Sequence, residues 1–87
     1  MKMIVQEVEN EGLESLMGQC VTLFCGVYIY AGTLVGVNST CVKLDNAHVV
    51  YETGPFGTGK YKDAQKLPGF WYVATQSIES FGVSGNV

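Results

Sequence analysis

The stretch Phe70-Trp71-Tyr72-Val73, followed by Ile78-Glu79-Ser80-Phe81, decides the fold of this chain. Aromatic and β-branched residues favour strands, and the polar residues 75–77 separate the two segments as a turn. The first segment is apolar on both faces, so both of its faces must be covered. A chain of 87 residues has little material left for that purpose. The sequence therefore predicts that a second subunit provides the cover.

The composition indicates one domain with few charges. Charged residues make up 15% of the chain and apolar residues 47%, which predicts a surface that is unusually apolar or buried in contacts. Five lysines, no arginine and eight acidic residues give a net charge of −3. The chain therefore lacks the general positive field that attracts nucleic acids and anionic membranes.

The cysteines and the N-terminal residues bear on the compartment. Cys20, Cys25 and Cys41 are odd in number and form no paired framework, which is typical of reduced thiols. The N-terminal segment soon becomes acidic and lacks the apolar core of a signal peptide. The longest apolar stretch, residues 21–37, is interrupted by glycines and does not resemble a membrane span. We expect a soluble, cytoplasmic protein that does not contact a membrane.

The order of elements predicts an all-β domain. A capping residue and apolar residues at helical spacing predict a short helix over about residues 10–17. Apolar residues then alternate with polar ones over about residues 19–83, which predicts five strands, and residues 52–66 form a glycine-rich variable loop. The predicted fold class is a short N-terminal helix followed by a strongly bent, five-stranded, partly open small barrel, in one domain spanning residues 1–87.

Two irregularities are predicted within the strands. The apolar alternation of the third strand slips at Asn46-Ala47, which indicates a β-bulge. In the second strand, Gly32 and Gly36 lack side chains, so a neighbouring strand can approach closely or the strand can bend.

Several of these segments resemble the Sm-like (Lsm) family. The short helix, residues 18–23 (Gly-Gln-Cys-Val-Thr-Leu), Gly32-Thr33-Leu34 and the Asn46-Ala47 step are similar to the family's first motif. The spacing of Val73, Ile78 and Phe81 resembles the second motif, so that the resemblance covers roughly residues 13–81. It implies an SH3-like barrel and a closed homo-oligomeric ring of about five to seven subunits. In such a ring the fourth strand of one subunit pairs with the fifth strand of the next, which removes the exposed edges. The resemblance therefore implies a subunit interface formed by Phe70, Trp71, Tyr72, Val73, Ile78 and Phe81.

The RNA-binding signature of that family is not matched. In its first RNA-binding loop the family has Asp, a residue that stacks on a base, and Asn, where this chain has Asn38, Thr40 and Val42. In the second loop Ala74-Thr75 replaces Arg-Gly, so a guanidinium that would stack on bases or hold phosphate is missing. The Lys-His signature of the Hfq branch is also absent. The resemblance thus implies a retained ring with a lost or rebuilt base-reading pocket.

Two turns remain candidates for RNA contact. By resemblance, residues 38–40 and 75–77 would meet at the pore of the ring. Both turns are polar and uncharged, and their side chains can bond bases or water. The alternative is that their Asn, Ser and Thr side chains only satisfy the backbone of tight turns.

A basic cluster in the long loop is a further candidate. Lys60-Tyr61-Lys62, with Lys66 and Phe56 nearby, interleaves positive charge with aromatic rings, as single-stranded nucleic acid sites do. The alternative is a solvated loop whose lysines keep the chain soluble and protect a strand edge. Residues 54–60 also match most of a phosphate-binding loop, but Tyr61 stands where that motif needs a hydroxyl ligand for Mg²⁺, so we expect no nucleotide site.

Catalytic and metal chemistry are not indicated. The spacing of the three cysteines and His48 matches no zinc site, and small core thiols are the better interpretation. No carboxylates pair for acid–base catalysis, and no nucleophile has an adjacent base. We expect no enzyme, no metal and no cofactor.

The sequence thus predicts a non-catalytic, homo-oligomeric Sm-like ring that binds single-stranded RNA weakly or with altered specificity. The alternative function is a protein-interaction scaffold ring with no nucleic-acid role. The residues predicted to contact RNA are Asn38, Ser39, Thr40, Thr75, Gln76, Lys60, Tyr61 and Lys62.

Overall fold

The computed structural model describes residues 12–56 and 60–84, and this part of the chain is mostly β-strand. The all-β prediction is confirmed at that level. Two single turns of 3-10 helix, Glu14–Leu16 and Thr75–Ser77, accompany six strands. The strands are β1 (Cys20–Cys25), β2 (Ile29–Val37), β3 (Cys41–Glu52), β4 (Asp63–Lys66), β5 (Trp71–Ala74) and β6 (Ile78–Val83).

All six strands belong to one antiparallel sheet. Its order is β4-β3-β2-β1-β6, and β5 also pairs with β3. The 12-residue β3 is long enough for two partners: its first half pairs with β5 (Cys41 opposite Ala74) and its second half with β4 (His48 opposite Lys66). Within the described residues β5 and β6 do not pair with each other, so the sheet does not close into a barrel.

The structure adds a strand, β4, before the predicted fourth strand, which corresponds to β5. Between them Pro68 has no N–H to donate to a ladder, and Gly69 adopts φ of +61°, which favours glycine because it has no Cβ. The amide of Leu67 still donates to the carbonyl of Ala47 at 2.8 Å, so the interrupted segment remains attached to β3. The loop predicted over residues 52–66 is therefore too long, because its last four residues form β4.

The predicted helix over residues 10–17 is not an α-helix in the part that the structure describes. Residues 10 and 11 lie outside the described residues. The remainder has one 3-10 turn, in which the amides of Leu16 and Met17 donate to carbonyls three residues earlier. Gly18 then donates to the carbonyl of Leu34 at 2.7 Å, which draws the chain toward β2. A helix that ends after so few residues cannot recover the cost of nucleating an α-helix.

The bulge at Asn46-Ala47 is confirmed. The register between β2 and β3 shifts between Ala31 and Thr33, and Asn46 has φ of +52°. A Cβ on Gly32 would lie 2.9 Å from the carbonyl oxygen of Asp45 and 3.1 Å from the Cα of Ala47. The bulged backbone of β3 therefore comes so close to β2 that only glycine fits at residue 32 without displacement.

The alternating residues of the first three strands form the core. Fully buried side chains are contributed by β1, β2 and β3: Val21, Leu23, Leu34, Val42 and Leu44. Val73 of β5 joins them, whereas its neighbour Tyr72 is exposed. One face of the apolar segment at residues 70–73 is thus covered within the chain and the other is open. None of the helices in the described part is long or apolar enough to cross a membrane.

Candidate functional site

The predicted subunit interface is partly open at the surface. Phe70 (53%), Tyr72 (59%) and Phe81 (42%) are large side chains with much of their surface in water. Among the residues described, β5 has a ladder partner only in β3, and β6 only in β1. The turn Thr75–Ser77 joins these two half-paired strands. Tyr72 and Phe81 therefore lie on strands that each lack a second ladder partner in the described part of the chain.

The other three predicted interface residues face the interior. Val73 is buried, and Trp71 and Ile78 are partly buried against the core. These residues stabilise the single subunit as well as any assembly. Substitution at Val73 is for this reason a poor test of association, because it would destabilise the subunit itself.

A lysine lies over the exposed rings. The Nζ of Lys43 is 4.1 Å from the centroid of Phe70 and 5.8 Å from that of Tyr72. Lys43 and Tyr72 are directly opposite each other in the β3–β5 ladder. An ammonium at this distance from an aromatic face makes a cation–π contact, worth about 0.5–1 kcal/mol at an exposed site. This contact was not foreseen from the sequence.

The structure brings the two polar turns together. The amide of Thr75 donates to the carbonyl of Thr40 at 3.0 Å, and the hydroxyl of Thr75 donates to the carbonyl of Ser39 at 3.1 Å. The Oδ1 of Asn38 accepts from the amide and the hydroxyl of Thr40 and from the amide of Cys41, at 2.7–2.9 Å. Asn38 thus caps its own turn, as the structural interpretation requires. Asn38, Ser39 and Gln76 are exposed to solvent.

The side chains of the predicted basic cluster do not form one surface patch, because Tyr61 and Lys62 contact different parts of the protein. The hydroxyl of Tyr61 bonds with the hydroxyl of Thr22 and, at 2.8 Å, with that of Ser84. The ammonium of Lys62 lies 3.2 Å from a carboxylate oxygen of Glu52 in an exposed ion pair. Lys60 is exposed. Tyr61 therefore connects the loop to β1 through a hydrogen bond, and the charge of Lys62 is partly balanced by Glu52.

The same loop covers the outer face of β1. The rings of Phe24 and Phe56 have centroids 6.3 Å apart, and Thr22 is buried. A small cavity of about 180 Å³ remains between this loop and β6. The loop thus covers apolar surface on β1 that would otherwise be in water, which the sequence analysis did not predict.

The cysteines and the histidine do not form a site. Cys20, Cys25 and Cys41 are free thiols, each partly buried. Burial raises the pKa of the Cys20 and Cys25 thiols above the ordinary value, and the negative charge of Glu79 adds to the shift at Cys25. Nδ1 of His48 lies 3.0 Å from the carbonyl of Asn46. In the described ranges no three ligand-type side chains come together around a metal position.

A larger cavity was missed by sequence reasoning. It has a volume of about 490 Å³ and lies between the β1–β2 turn and the turn Thr75–Ser77. Three tyrosines and one acid help to line it: Tyr28, Tyr30, Tyr72 and Glu79. The Tyr-x-Tyr spacing after Gly26-Val27 could have indicated that two rings share one face of a strand. Nothing in the local sequence indicates that Glu79 joins them.

No family model, curated protein or solved structure matches the chain. The Sm-like resemblance stays a prediction based on the motifs quoted above.

Proposed function

We propose that the chain forms a closed, homo-oligomeric Sm-like ring that is not catalytic and binds single-stranded RNA weakly through the neutral turns. The observation that carries this proposal is the pair of strands β5 and β6, which are joined by one turn and, in the part of the chain described, are each paired on one side only. The ring functions in the cytoplasm, where its free thiols remain reduced.

Assembly follows from the unpaired edges. A β6 strand from a second copy adds to the β5 edge, and its backbone satisfies the N–H and C=O groups that one chain leaves open. The addition covers Tyr72 and Phe81, whose exposure in one chain leaves apolar surface in water. Because each subunit offers one β5 edge and one β6 edge, the contact is head-to-tail, and repetition closes a ring when the rotation permits.

The RNA contacts belong to the turns at residues 38–40 and 75–77. These turns are held together by hydrogen bonds from Thr75, so their exposed side chains lie side by side on one surface. They carry amide and hydroxyl groups and no charge, which suits hydrogen bonds to base edges better than contact with phosphate. The absence of arginine from the chain limits the affinity.

The second candidate function is a scaffold ring without a nucleic-acid role. The observations that favour it are the ion pair between Lys62 and Glu52 and the engagement of Tyr61 by Thr22. Both remove features that a single-stranded nucleic acid would use, and the net charge of −3 repels a polyanion.

Native mass spectrometry with and without short oligo(U) and oligo(A) tests both functions in one experiment. The proposal predicts one defined oligomer in both samples and a mass increase of one RNA per ring at low salt. A ring without added RNA mass at low salt supports the scaffold function. A monomer in both samples contradicts ring formation.

A further inference from the structure

The cavity between the β1–β2 turn and the turn Thr75–Ser77 has the composition of a small-molecule site. Its volume of about 490 Å³ lies within the range of ligand pockets. Apolar side chains at its base, Val73 and Ile78, also pack against the core. Polar groups stand at its rim, where the exposed Gln76 and Ser77 contribute. The lining therefore combines apolar side chains that reach the core with polar groups that are exposed to solvent.

Aromatic rings form the walls of this cavity. The ring centroids of Tyr28 and Tyr30 are 6.3 Å apart, and their planes are inclined at 58°. Inclined rings that line one cavity are a feature of sites that surround a cation with several aromatic side chains. Tyr30 is held by packing against the core, and Tyr28 is half exposed at the rim. Tyr72 lines the same cavity, although its ring is already shared with Lys43.

The turn between β1 and β2 fixes the position of these rings. The amide of Cys25 donates to the carbonyl of Tyr28 at 3.0 Å, which closes a tight turn over Gly26-Val27. Tyr30 lies two residues farther along and so projects from the same face as Tyr28. Tyr28 and Tyr30 therefore belong to a short, hydrogen-bonded hairpin formed by β1 and β2.

The charge around the cavity favours a cation. Glu79 is the one acidic residue among the described residues that line it, and no lysine is among them. Cys25 also lines the cavity, and the negative charge of Glu79 adds to the effect of burial in raising the pKa of its thiol. Cys25 and Ile78 are opposite each other in the β1–β6 ladder, which brings Glu79 to this end of the hairpin. A carboxylate beside aromatic faces attracts a weakly hydrated cation more than a neutral ligand.

We propose that this cavity binds a small methylated ammonium compound, with its cationic group against the rings of Tyr28 and Tyr30 and its charge balanced by Glu79. A methylated ammonium fits because it combines an apolar surface with a positive charge and is weakly hydrated. An unmethylated ammonium would lose strong hydrogen bonds to water on entering. The inference goes beyond ring formation and RNA binding and concerns the cavity of the single subunit, whose Tyr72 wall the proposed ring contact also covers.

A titration of the protein with choline and with 3,3-dimethylbutan-1-ol, followed by NMR, tests the proposal. The alcohol has the shape of choline and no charge. We expect choline to shift the amide signals of Cys25 and Ile78 and to bind at least about fivefold more tightly than the alcohol, since a cation–π contact contributes about 1 kcal/mol. Equal binding of the two compounds, or no binding of choline, overturns the proposal.

Variants of the exposed residues complete the test. Tyr28→Ala and Glu79→Gln should each weaken choline binding about 5- to 30-fold, whereas Tyr28→Phe, which keeps the ring, should retain it. Tyr51→Ala is the matched control, because Tyr51 is an exposed tyrosine of β3 outside the cavity. Equal losses in Tyr51→Ala and Tyr28→Ala overturn the assignment. Circular dichroism of each variant verifies that the chain is folded.

Discussion

Tyr72→Ala is the most direct test of the proposed assembly, because it removes exposed surface and leaves the core intact. Tyr72 is 59% exposed on β5 and contacts Lys43 at 5.8 Å through its ring. A full aromatic side chain has roughly 200 Å² of surface, so about 120 Å² of this ring is in water in the single chain. At about 25 cal/mol per Å², covering that surface stabilises each subunit contact by up to about 3 kcal/mol.

The loss of this contact should be visible as dissociation. A change of about 3 kcal/mol at each contact corresponds to a dissociation constant about 150-fold higher. Within the subunit the same change removes the weak cation–π contact and no fully buried side chain, so the thermal midpoint should fall little. Sedimentation velocity over a dilution series measures the first quantity and circular dichroism the second.

The control for this experiment is Tyr51→Ala. Tyr51 is exposed to a similar extent on β3, and its hydroxyl bonds Gln65 of β4 at 3.2 Å, away from β5 and β6. The proposal requires the oligomer to persist in this variant and to dissociate in Tyr72→Ala. If both variants keep the wild-type sedimentation profile, or if the wild type is a monomer at every concentration, the argument from the open strand edges is wrong.

Three further predictions concern the close approach of β2 and β3, RNA binding and the long loop. Gly32→Ala should destabilise the fold by about 1–3 kcal/mol in urea unfolding, because the added methyl meets backbone atoms of Asp45 and Ala47. In Gly26→Ala the methyl meets open space, so this variant should unfold near the wild-type midpoint. Gln76→Ala should weaken oligo(U) and oligo(A) retention in filter binding while the oligomer persists, because Gln76 is an exposed group of the neutral turns; retention that is unchanged in this variant but lost in Lys60→Ala with Lys62→Ala would place the RNA on the lysine loop instead. Tyr61→Phe should cost about 1 kcal/mol of unfolding free energy by removing the bonds to Thr22 and Ser84, and a wild-type midpoint would refute that role.

Much of the sheet could be predicted from the sequence, because the alternation of apolar and polar residues shows which residues of a strand face the core. Val21 and Leu23 in β1, and Val42 and Leu44 in β3, are buried as their period of two requires. The slip at Asn46-Ala47 was visible for the same reason, since a bulge changes the phase of the pattern. These features depend on residues close together in the chain.

The errors arose where short segments depend on distant contacts. β4 is exposed at every residue, so it has no apolar alternation and was assigned to a loop. Its ladder with β3 is what makes it a strand. The predicted helix failed for a related reason, because Gly18 bonds Leu34 of β2 and ends the turn early. Local propensity is a weak guide wherever a tertiary hydrogen bond decides the backbone path.

One part of the candidate site, the aromatic strand β5, could be predicted from the sequence, and another part, the cavity, could not. The residues of β5 are nearly all apolar, and a short strand that is apolar on both faces must be covered on both faces whatever its place in the sheet. The cavity is different, because Tyr28 and Glu79 are about fifty residues apart and become neighbours only through the β1–β6 ladder. The alternation of apolar and polar residues shows which face of a strand a residue occupies. It does not show which strand lies beside it, because strand pairing depends on contacts between residues far apart in the sequence. A site built across two strand ends therefore requires the sheet order before its residues can be recognised.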